Sequence, residues 1–186
     1  MSCAVSDGLC IEIGGPGTDR LGASDPVIII VAMNRKFTVR RASWDRDQRA
    51  LRELREMVFV REQNVPLVLE WDGLDAASLH VIAEDRAGAP IGTGRLLPHG
   101  RIGRMAVLQP WRGKGVGSAL LAELIRAAIE RGLAEVTLDA QIHALGFYAR
   151  MGFEAEGAEF LDAGIPHRRM RRALRTSSQA SGSVDT

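Results

Sequence analysis

Cysteine is scarce in this sequence of 186 residues, and the only two, Cys3 and Cys10, both lie near the N-terminus. A disulfide framework is therefore not predicted, and the cytoplasm is the simplest location for the protein. Long apolar runs are also missing, because the longest, from Val27 to Met33, is far shorter than the ~20 residues of a membrane-spanning helix. No basic segment precedes that run and no small-residue cleavage site is evident, so the sequence predicts neither a signal peptide nor a membrane partner.

The chain has no excess of charge of either sign. Lys and Arg total 24 against 23 Asp and Glu, which gives a formal net charge of +1. A nucleic-acid-binding domain normally carries a basic excess, so nucleic acid is not predicted as a partner. The hydrophobic fraction of 46% is instead typical of a globular domain with a buried core.

Composition divides the chain into three parts. Residues 1–35 are rich in Gly, Ser and Asp and have no sustained hydrophobic period, which predicts a poorly ordered or peripheral extension. Residues 175–186 are rich in Ser and are predicted to form a disordered tail. The intervening residues 36–174 carry the periodic patterns of a single folded domain.

Within that domain, alternation with a period of two predicts strands, and apolar positions three or four apart predict helices. The predicted strands are 36–42, 79–84, 91–97, 101–108 and 134–141, with one or two more after residue 152. The predicted helices are 45–61, 144–152 and a segment that ends at Gly132, whose apolar stripe is Leu120, Leu121, Leu124, Ile125, Ala128 and Ile129. Strands and helices that alternate in this way predict an α/β fold around one mixed sheet.

The stretch RGKGVG places glycine at every second position from Gly113 to Gly117, between a predicted strand and a predicted helix. A helix start offers free amides and a positive dipole end, and glycine lets a phosphate approach the backbone closely. Arg112 and Lys114 add positive charge there, so a phosphorylated ligand is predicted. The spacing does not fit a Walker loop, and Ser118 or Leu120 stands where a dinucleotide fingerprint needs its third glycine. A glycine turn without a ligand and a dinucleotide-binding oxidoreductase remain as alternatives.

The same stretch fits the pattern Q/R-x-x-G-x-G/A, with Arg112, Gly115 and Gly117 in register. Further along the chain, FYARMGF fits a second pattern, F-Y-x-x-x-G-F. On these two patterns the sequence resembles the GNAT family of N-acetyltransferases over roughly residues 36–174. Stretches that further resemble the small bacterial subgroup typified by ElaA and YjcF are LRELREMVFVREQNVP, EWDGLD, GTGRLL, IGRMAV, DAQIHALGFYARMGF and GIPHRRM.

The resemblance implies a single GNAT domain with a central mixed, mostly antiparallel sheet that is splayed at the CoA site and flanked by helices. It implies acetyl-CoA as the co-substrate, with backbone amides of the glycine stretch on the pyrophosphate and a strand edge beside the pantetheine arm. A glutamine at a strand end would orient a substrate. The implied cofactor-binding residues are Met105, Val107, Arg112, Gly113, Lys114, Gly115, Val116, Gly117, Ser118 and Gln141.

Acetyl transfer to an amine needs an acid for the departing thiolate and a base for the amine. Tyr148, the only tyrosine, stands at the position of the family's acid, and a core aromatic beside Phe147 and Phe153 is the alternative. Glu62 follows a helix face and is predicted to enter the acceptor cleft as the base. Other candidates for the base are Glu70, Asp72, Asp75, His80, His143 and His167, of which the two aspartates around Gly73 are also explained as turn-capping side chains. The sequence has no spacing typical of a metal site, so no metal is predicted.

We therefore expect an N-acetyltransferase that moves an acetyl group from acetyl-CoA to a primary amine by direct attack, because the domain has no cysteine to carry an acyl group. The balanced charge favours a small-molecule amine over a peptide N-terminus or a lysine. A non-catalytic module that senses acyl-CoA or another ligand on the same fold is the alternative. The resemblance also suggests a homodimer, although the sequence shows no clear interface.

Overall fold

Residues 36–174, which this computed structural model describes, form two antiparallel sheets flanked by helices. The predictions for residues 1–35 and 175–186 lie outside the described residues. The strands are β1 (Phe37–Ala42), β2 (Leu79–Asp85), β3 (Pro90–Leu96), β4 (Ile102–Val107), β5 (Glu135–Gln141), β6 (Glu154–Asp162) and β7 (Ile165–Ala173). The helices are α1 (Trp44–Arg55), a π-helix (Glu56–Glu62), α2 (Leu67–Glu70), α3 (Val116–Glu130) and α4 (Leu145–Arg150). None of these helices is long and apolar enough to span a membrane.

The two sheets meet at a single point within the described residues. One has the strand order β1-β2-β3-β4 and the other the order β5-β7-β6. A parallel bridge joins Arg101 to Thr137, where the Thr137 amide donates to the Gly100 carbonyl at 3.1 Å. Beyond this bridge, β4 and β5 do not pair again and diverge toward Val107 and Gln141. The predicted α/β fold is confirmed, and the single mixed sheet of the prediction is two antiparallel sheets that splay apart.

Helix α3 supplies the centre of the core by packing on β2 and β3. Its predicted stripe is confirmed for Leu120, Leu124 and Ala128, whose side chains are fully buried, whereas Ile129 is 39% exposed. Burying one leucine side chain stabilises a fold by about 1.5–3 kcal/mol, so this stripe is a large part of what fixes α3 to the sheet. Gly132 follows with a φ of 71°, the left-handed conformation that commonly ends a helix.

The first helix differs from the prediction of one α-helix over residues 45–61. The α-helical part ends at Arg55, and the backbone continues as the π-helix to Glu62. At its end the Gln63 amide donates to the Val58 carbonyl, five residues back, at 3.2 Å. A wider turn of this kind cannot be told from an α-helix by hydrophobic period over so few residues. The same reason explains why α2, a single turn, is absent from the prediction.

Candidate active site

A cavity of about 890 Å³ lies where β4 and β5 diverge. Its walls come from β4, β5, the π-helix, the start of α3, α4 and the β6–β7 hairpin. The predicted site residues that line it are Glu62, Met105, Val107, Arg112, Gly117, Gln141 and Tyr148. The predicted site residues outside its lining are Gly113, Lys114, Gly115, Val116 and Ser118. We call residues 112–117 the glycine loop.

The last part of β4 presents backbone groups to this cavity. The Leu108 amide donates to the Ile91 carbonyl at 3.0 Å, so these two residues form a hydrogen-bonded pair. In an antiparallel ladder such pairs alternate with pairs that do not bond, so the N–H and C=O of Val107 point away from β3. A bulge at Arg104, whose φ is 52°, precedes this segment and shifts its register against β3. The Val107 N–H is thus open to an extended ligand with amide groups, whereas the Val107 carbonyl already accepts from Nε of Arg112.

The glycine loop leads into α3 with its amides unpaired from Gly113 onward. Gly113 and Gly115 have φ values of 71° and 79°, and a Cβ atom at either would meet nothing within 4 Å. The first bond of α3 runs from the Ala119 amide to the Gly115 carbonyl at 3.0 Å. Within residues 36–174, no amide from Gly113 to Ser118 donates to a backbone carbonyl. Free amides at the positive end of a 15-residue helix make an anion site.

Arg112 differs from the other residues of the glycine loop. Its amide donates to the Gln109 carbonyl at 3.2 Å, so the run of free amides begins at Gly113 and not at Arg112. Its side chain donates from Nε to the Val107 carbonyl at 2.9 Å, and from Nη1 and Nη2 to the two oxygens of Glu62 at 2.6 and 2.7 Å. These hydrogen bonds raise the pKa of Arg112 and lower the pKa of Glu62. The geometry therefore does not favour the prediction that Glu62 is the base.

Two further predicted residues differ in what they touch. Lys114 holds its Nζ 5.5 Å from the centre of the Trp111 ring and adds a positive charge beside the free amides. Gln141, at the end of β5, donates from Nε2 to Oε1 of Gln63 at 3.0 Å. The Lys114 charge is thus suited to an anion, whereas Gln141 ties β5 to the residue that follows the π-helix.

Tyr148, on α4, lines the cavity with a half-buried side chain. Its ring packs edge-on against Phe147, with centroids 4.9 Å apart, and against Phe153 at 6.0 Å. Burial raises the pKa of Tyr148 to about 12, so the hydroxyl stays protonated at neutral pH. No hydrogen bond joins this hydroxyl to another residue of the described range. Aromatic packing therefore fixes the ring and leaves a protonated hydroxyl available to a ligand.

Comparison with known proteins agrees with this geometry. Residues 56–174 match the family described as the acetyltransferase (GNAT) domain. The chain belongs to the GNAT acetyltransferase family. It is 40% identical to the uncharacterized N-acetyltransferase YjcF of Bacillus subtilis (strain 168), in an alignment that covers 64% of this chain and 87% of YjcF.

Solved structures share the GNAT fold. An acyl-CoA N-acyltransferase from Pseudomonas aeruginosa is 35% identical, with a TM-score of 0.67 over 74% of this chain and 99% of that one. Escherichia coli ElaA is 27% identical, with a TM-score of 0.66 over 73% of this chain and 99% of ElaA. The resemblance predicted from the sequence is confirmed. The protein is an N-acetyltransferase of the GNAT family, for which acetyl-CoA is the typical co-substrate, and this excludes the oxidoreductase alternative.

The GNAT domain also contains a group of charges, four buried and two partly exposed, that the sequence patterns did not predict. We call it the charge cluster, and its members are Arg55, Glu70, Asp72, Asp75, Arg95 and Arg104. Asp75 is central, because its Oδ1 accepts from Nη1 of Arg55 at 2.7 Å and from Nη1 of Arg95 at 2.8 Å. Arg95 also donates to Asp72 at 2.5 and 2.8 Å, and Arg55 pairs with Glu70. Positive and negative members are equal in number, so the charges neutralise one another inside the fold.

Three of the candidate bases, Glu70, Asp72 and Asp75, form ion pairs within the charge cluster. The pKa of Asp72 is lowered, first by its hydrogen bonds from Arg95. Burial pushes the pKa of Asp75 upward, but the hydrogen bonds and charges of Arg55 and Arg95 outweigh it, so this pKa too is lowered. Burial raises the pKa of Glu70, but ion pairs hold its oxygens. None of these carboxylates is an unpaired proton acceptor.

The candidate histidines fall into two classes. His80 is buried, stacks on Trp44 with centroids 5.1 Å apart, and has Nε2 2.8 Å from the Asp75 carbonyl. Burial lowers the pKa of His80, and the ring does not line the cavity, so its role is packing around the charge cluster. His143 and His167, in contrast, both line the cavity.

Proposed function

We propose that this GNAT enzyme transfers the acetyl group of acetyl-CoA to the primary amine of a small molecule by direct attack. The observation that carries the proposal is that one cavity is lined by the open edge at Val107, the start of α3 at Gly117 and the hydroxyl-bearing Tyr148. The domain has no cysteine to hold an acyl group, since Cys3 and Cys10 precede it. The amine nitrogen therefore attacks the thioester carbon itself.

The co-substrate supplies an activated acetyl thioester, and the chain's own groups hold it. The free amides from Gly113 to Ser118 and the Lys114 ammonium suit the pyrophosphate, and the space around Gly113 and Gly115 lets it approach. The N–H of Val107 suits a carbonyl of the pantetheine arm, and its C=O, which already accepts from Arg112, keeps a second lone pair for an amide of the arm, with Met105 beside them on β4.

Tyr148 is the acid of the proposed reaction. Its raised pKa keeps the hydroxyl protonated, and the sulfur becomes a proton acceptor only as the C–S bond breaks. The rings of Phe147 and Phe153 fix its orientation without occupying its hydroxyl. Because the ring is held in place, the thiolate receives its proton from Tyr148 within the site and not from solvent.

A small acceptor is supported by the charge and size of the cavity. A volume of about 890 Å³ is in the range of small-molecule sites and must hold the arm of the co-substrate as well. Acidic side chains that line it are Glu62, Glu70, Asp72, Asp139 and Asp162. Basic side chains that line it are Arg95, Arg101, Arg104 and Arg112. The slight acidic surplus suits an ammonium group better than a carboxylate.

Thiol release measured over a panel of amines tests the proposal. The purified protein is mixed with acetyl-CoA and with small primary amines, peptides with a free N-terminus, or peptides that carry lysine, and free CoA is titrated. We expect amine-dependent thiol release and an acetylated product by mass spectrometry in the small-amine arm. Thermal stabilisation by acetyl-CoA, which reaches about 2.7 kcal/mol at 100 times Kd, without thiol release in any arm would favour the sensing module instead.

A further inference from the structure

His167 occupies a defined place on the sheet beside the proposed acetyl-transfer site. Its neighbour on β5 is Gln141, and its neighbour on β6 is Phe160. Directly opposed residues of paired strands point to the same face, so these three side chains form one row. Gln141 and His167 both line the cavity, so this row lies on the face of the sheet that borders the cavity.

Two contacts fix the ring of His167. Its Nδ1 lies 2.8 Å from the Ile165 carbonyl, and its plane stacks on the ring of Phe160 with centroids 6.1 Å apart at an angle of 25°. A carbonyl oxygen only accepts hydrogen bonds, so Nδ1 carries a hydrogen in both charge states of the ring. In the neutral ring the lone pair is therefore on Nε2. Within the described residues, no hydrogen bond or ion pair engages Nε2.

The charged groups around His167 are mostly committed to other partners. Those on the neighbouring strands or on the cavity wall include Glu62, Arg101, Asp139, His143, Asp162 and Arg169, and the wall also holds Glu70, Asp72, Arg95, Arg104 and Arg112. Asp139 pairs with Arg101 and Arg169, and Glu62 pairs with Arg112. No carboxylate lies within 4 Å of His167 in the described part of the chain, so its Nε2 is open to a cationic ligand.

We propose that Nε2 of His167 is the base that deprotonates the acceptor amine, an assignment that rests on the proposed function. The acceptor ammonium gives one proton to Nε2, and the neutral nitrogen then forms a bond to the acetyl carbon. As the C–S bond breaks, the thiolate takes the proton of Tyr148. The new amide nitrogen sheds its second proton, which restores Tyr148, and His167 returns the first to water. The products are the acetylated amine, CoA thiol and one proton.

The geometry separates His167 from Glu62, the base predicted from the sequence. Both oxygens of Glu62 accept from Arg112, and this pairing lowers the pKa of the carboxylate. A proton transferred to Glu62 would have to displace a guanidinium. A proton transferred to Nε2 of His167 displaces no group of the described chain.

The test replaces His167 by a side chain that keeps the hydrogen bond of Nδ1 to the Ile165 carbonyl and lacks Nε2. In His167→Asn the amide nitrogen can still donate to the Ile165 carbonyl, and the base is lost. We expect kcat to fall by about 10²–10⁴-fold, with the affinity for acetyl-CoA unchanged by thermal shift. His99→Asn, at an exposed turn outside the cavity, is the matched control and should behave as the wild type.

Assays with a second acceptor amine show whether a lower kcat of His167→Asn comes from the lost base or from misfolding. An amine whose own pKa is below the assay pH arrives neutral and needs no base, so the defect of His167→Asn should disappear with it. A defect that persists with such an amine, or a fall in kcat that appears in His143→Asn and not in His167→Asn, would overturn the assignment. Wild-type protein that transfers no acetyl group to any amine would overturn the proposed function together with it.

Discussion

Glu62 of the π-helix and Arg112 of the glycine loop are joined by two hydrogen bonds, one from each terminal guanidinium nitrogen, at 2.6 and 2.7 Å. Both side chains are 40% exposed. Arg112 also donates to the Val107 carbonyl, on the edge that we assign to the pantetheine arm. The pair thus joins the two elements between which the co-substrate is proposed to enter, and a pyrophosphate bound as proposed would compete with Glu62 for the same guanidinium.

Glu62→Gln should therefore tighten binding of CoA. An exposed ion pair contributes at most about 1 kcal/mol, so we expect a decrease in Kd of up to about fivefold by isothermal titration, with turnover within twofold of the wild type. Glu53→Gln breaks the exposed pair of Arg49 and Glu53 on α1 and should leave Kd unchanged. If Glu62→Gln instead slowed turnover by about 10²-fold or more and left Kd unchanged, Glu62 would be restored as the base.

Tyr148→Phe should lower kcat by about 10²-fold or more, because the departing thiolate loses its proton donor. The affinity for acetyl-CoA should stay the same, since the ring and its contacts with Phe147 and Phe153 are kept. Because burial raises the pKa of Tyr148 to about 12, the wild-type rate should show no fall from this group up to pH 10. Turnover that Tyr148→Phe leaves unchanged would remove the acid role.

Local patterns predicted the parts of the fold that local chemistry controls. The glycine loop could be predicted because the strand, the alternate glycines and the helix are adjacent in sequence. Gly113 and Gly115 do adopt the positive φ values that glycine allows. The stripe of α3 was recognisable because Leu120, Leu124 and Ala128 recur every fourth position. The π-helix was not predicted because its wider turn, with hydrogen bonds to the fifth residue back, leaves the hydrophobic pattern of so short a segment unchanged.

The charge cluster could not be predicted from the sequence because its partners are distant in the chain. Arg55 meets Glu70 and Asp75 at separations of 15 and 20 residues, and each looks like an ordinary surface charge in isolation. Asp72 does cap its turn, as predicted, by accepting from the Leu74 amide at 3.0 Å. The second role of Asp72, toward Arg95, depends on where the sheet brings β3.

Gly115→Ala should weaken acetyl-CoA binding beyond what backbone strain explains. At a φ of 79° a side chain costs about 1–2 kcal/mol of stability, and the added methyl group enters the space proposed for the pyrophosphate. Gly132→Ala is the matched control, because its φ of 71° carries the same strain and its Cβ would also meet nothing within 4 Å. Both variants should unfold at a similar lower denaturant concentration, and only Gly115→Ala should raise Kd. Equal Kd values for the two variants would contradict the phosphate site.

Asp75→Ala should be among the most destabilising single changes in this domain. It leaves the guanidinium groups of Arg55 and Arg95 buried without their shared acceptor, and breaking a buried ion pair in this way costs about 3–5 kcal/mol. Glu53→Ala also removes a carboxylate from an arginine, but on the exposed surface, where solvent screens the pair and the loss should be much smaller. Urea unfolding of both variants measures the difference. A loss below about 1 kcal/mol in Asp75→Ala would mean that water or rearrangement satisfies the cluster.

The charge cluster should also make the domain sensitive to acid. The pKa values of Asp72 and Asp75 are lowered in the folded state, so their contribution to stability is complete above the unfolded pKa of about 3.9 and is lost as the pH falls below it. The raised pKa of Glu70 acts in the opposite direction, because protonation of this buried carboxyl favours the folded state as the pH falls. Asp72→Asn removes one carboxyl group whose pKa is lowered by folding. The free energy of unfolding of this variant should therefore fall less steeply than that of the wild type between about pH 5 and pH 2. Identical slopes for the two proteins in chemical denaturation would show that Asp72 titrates in the folded state as it does in the unfolded chain.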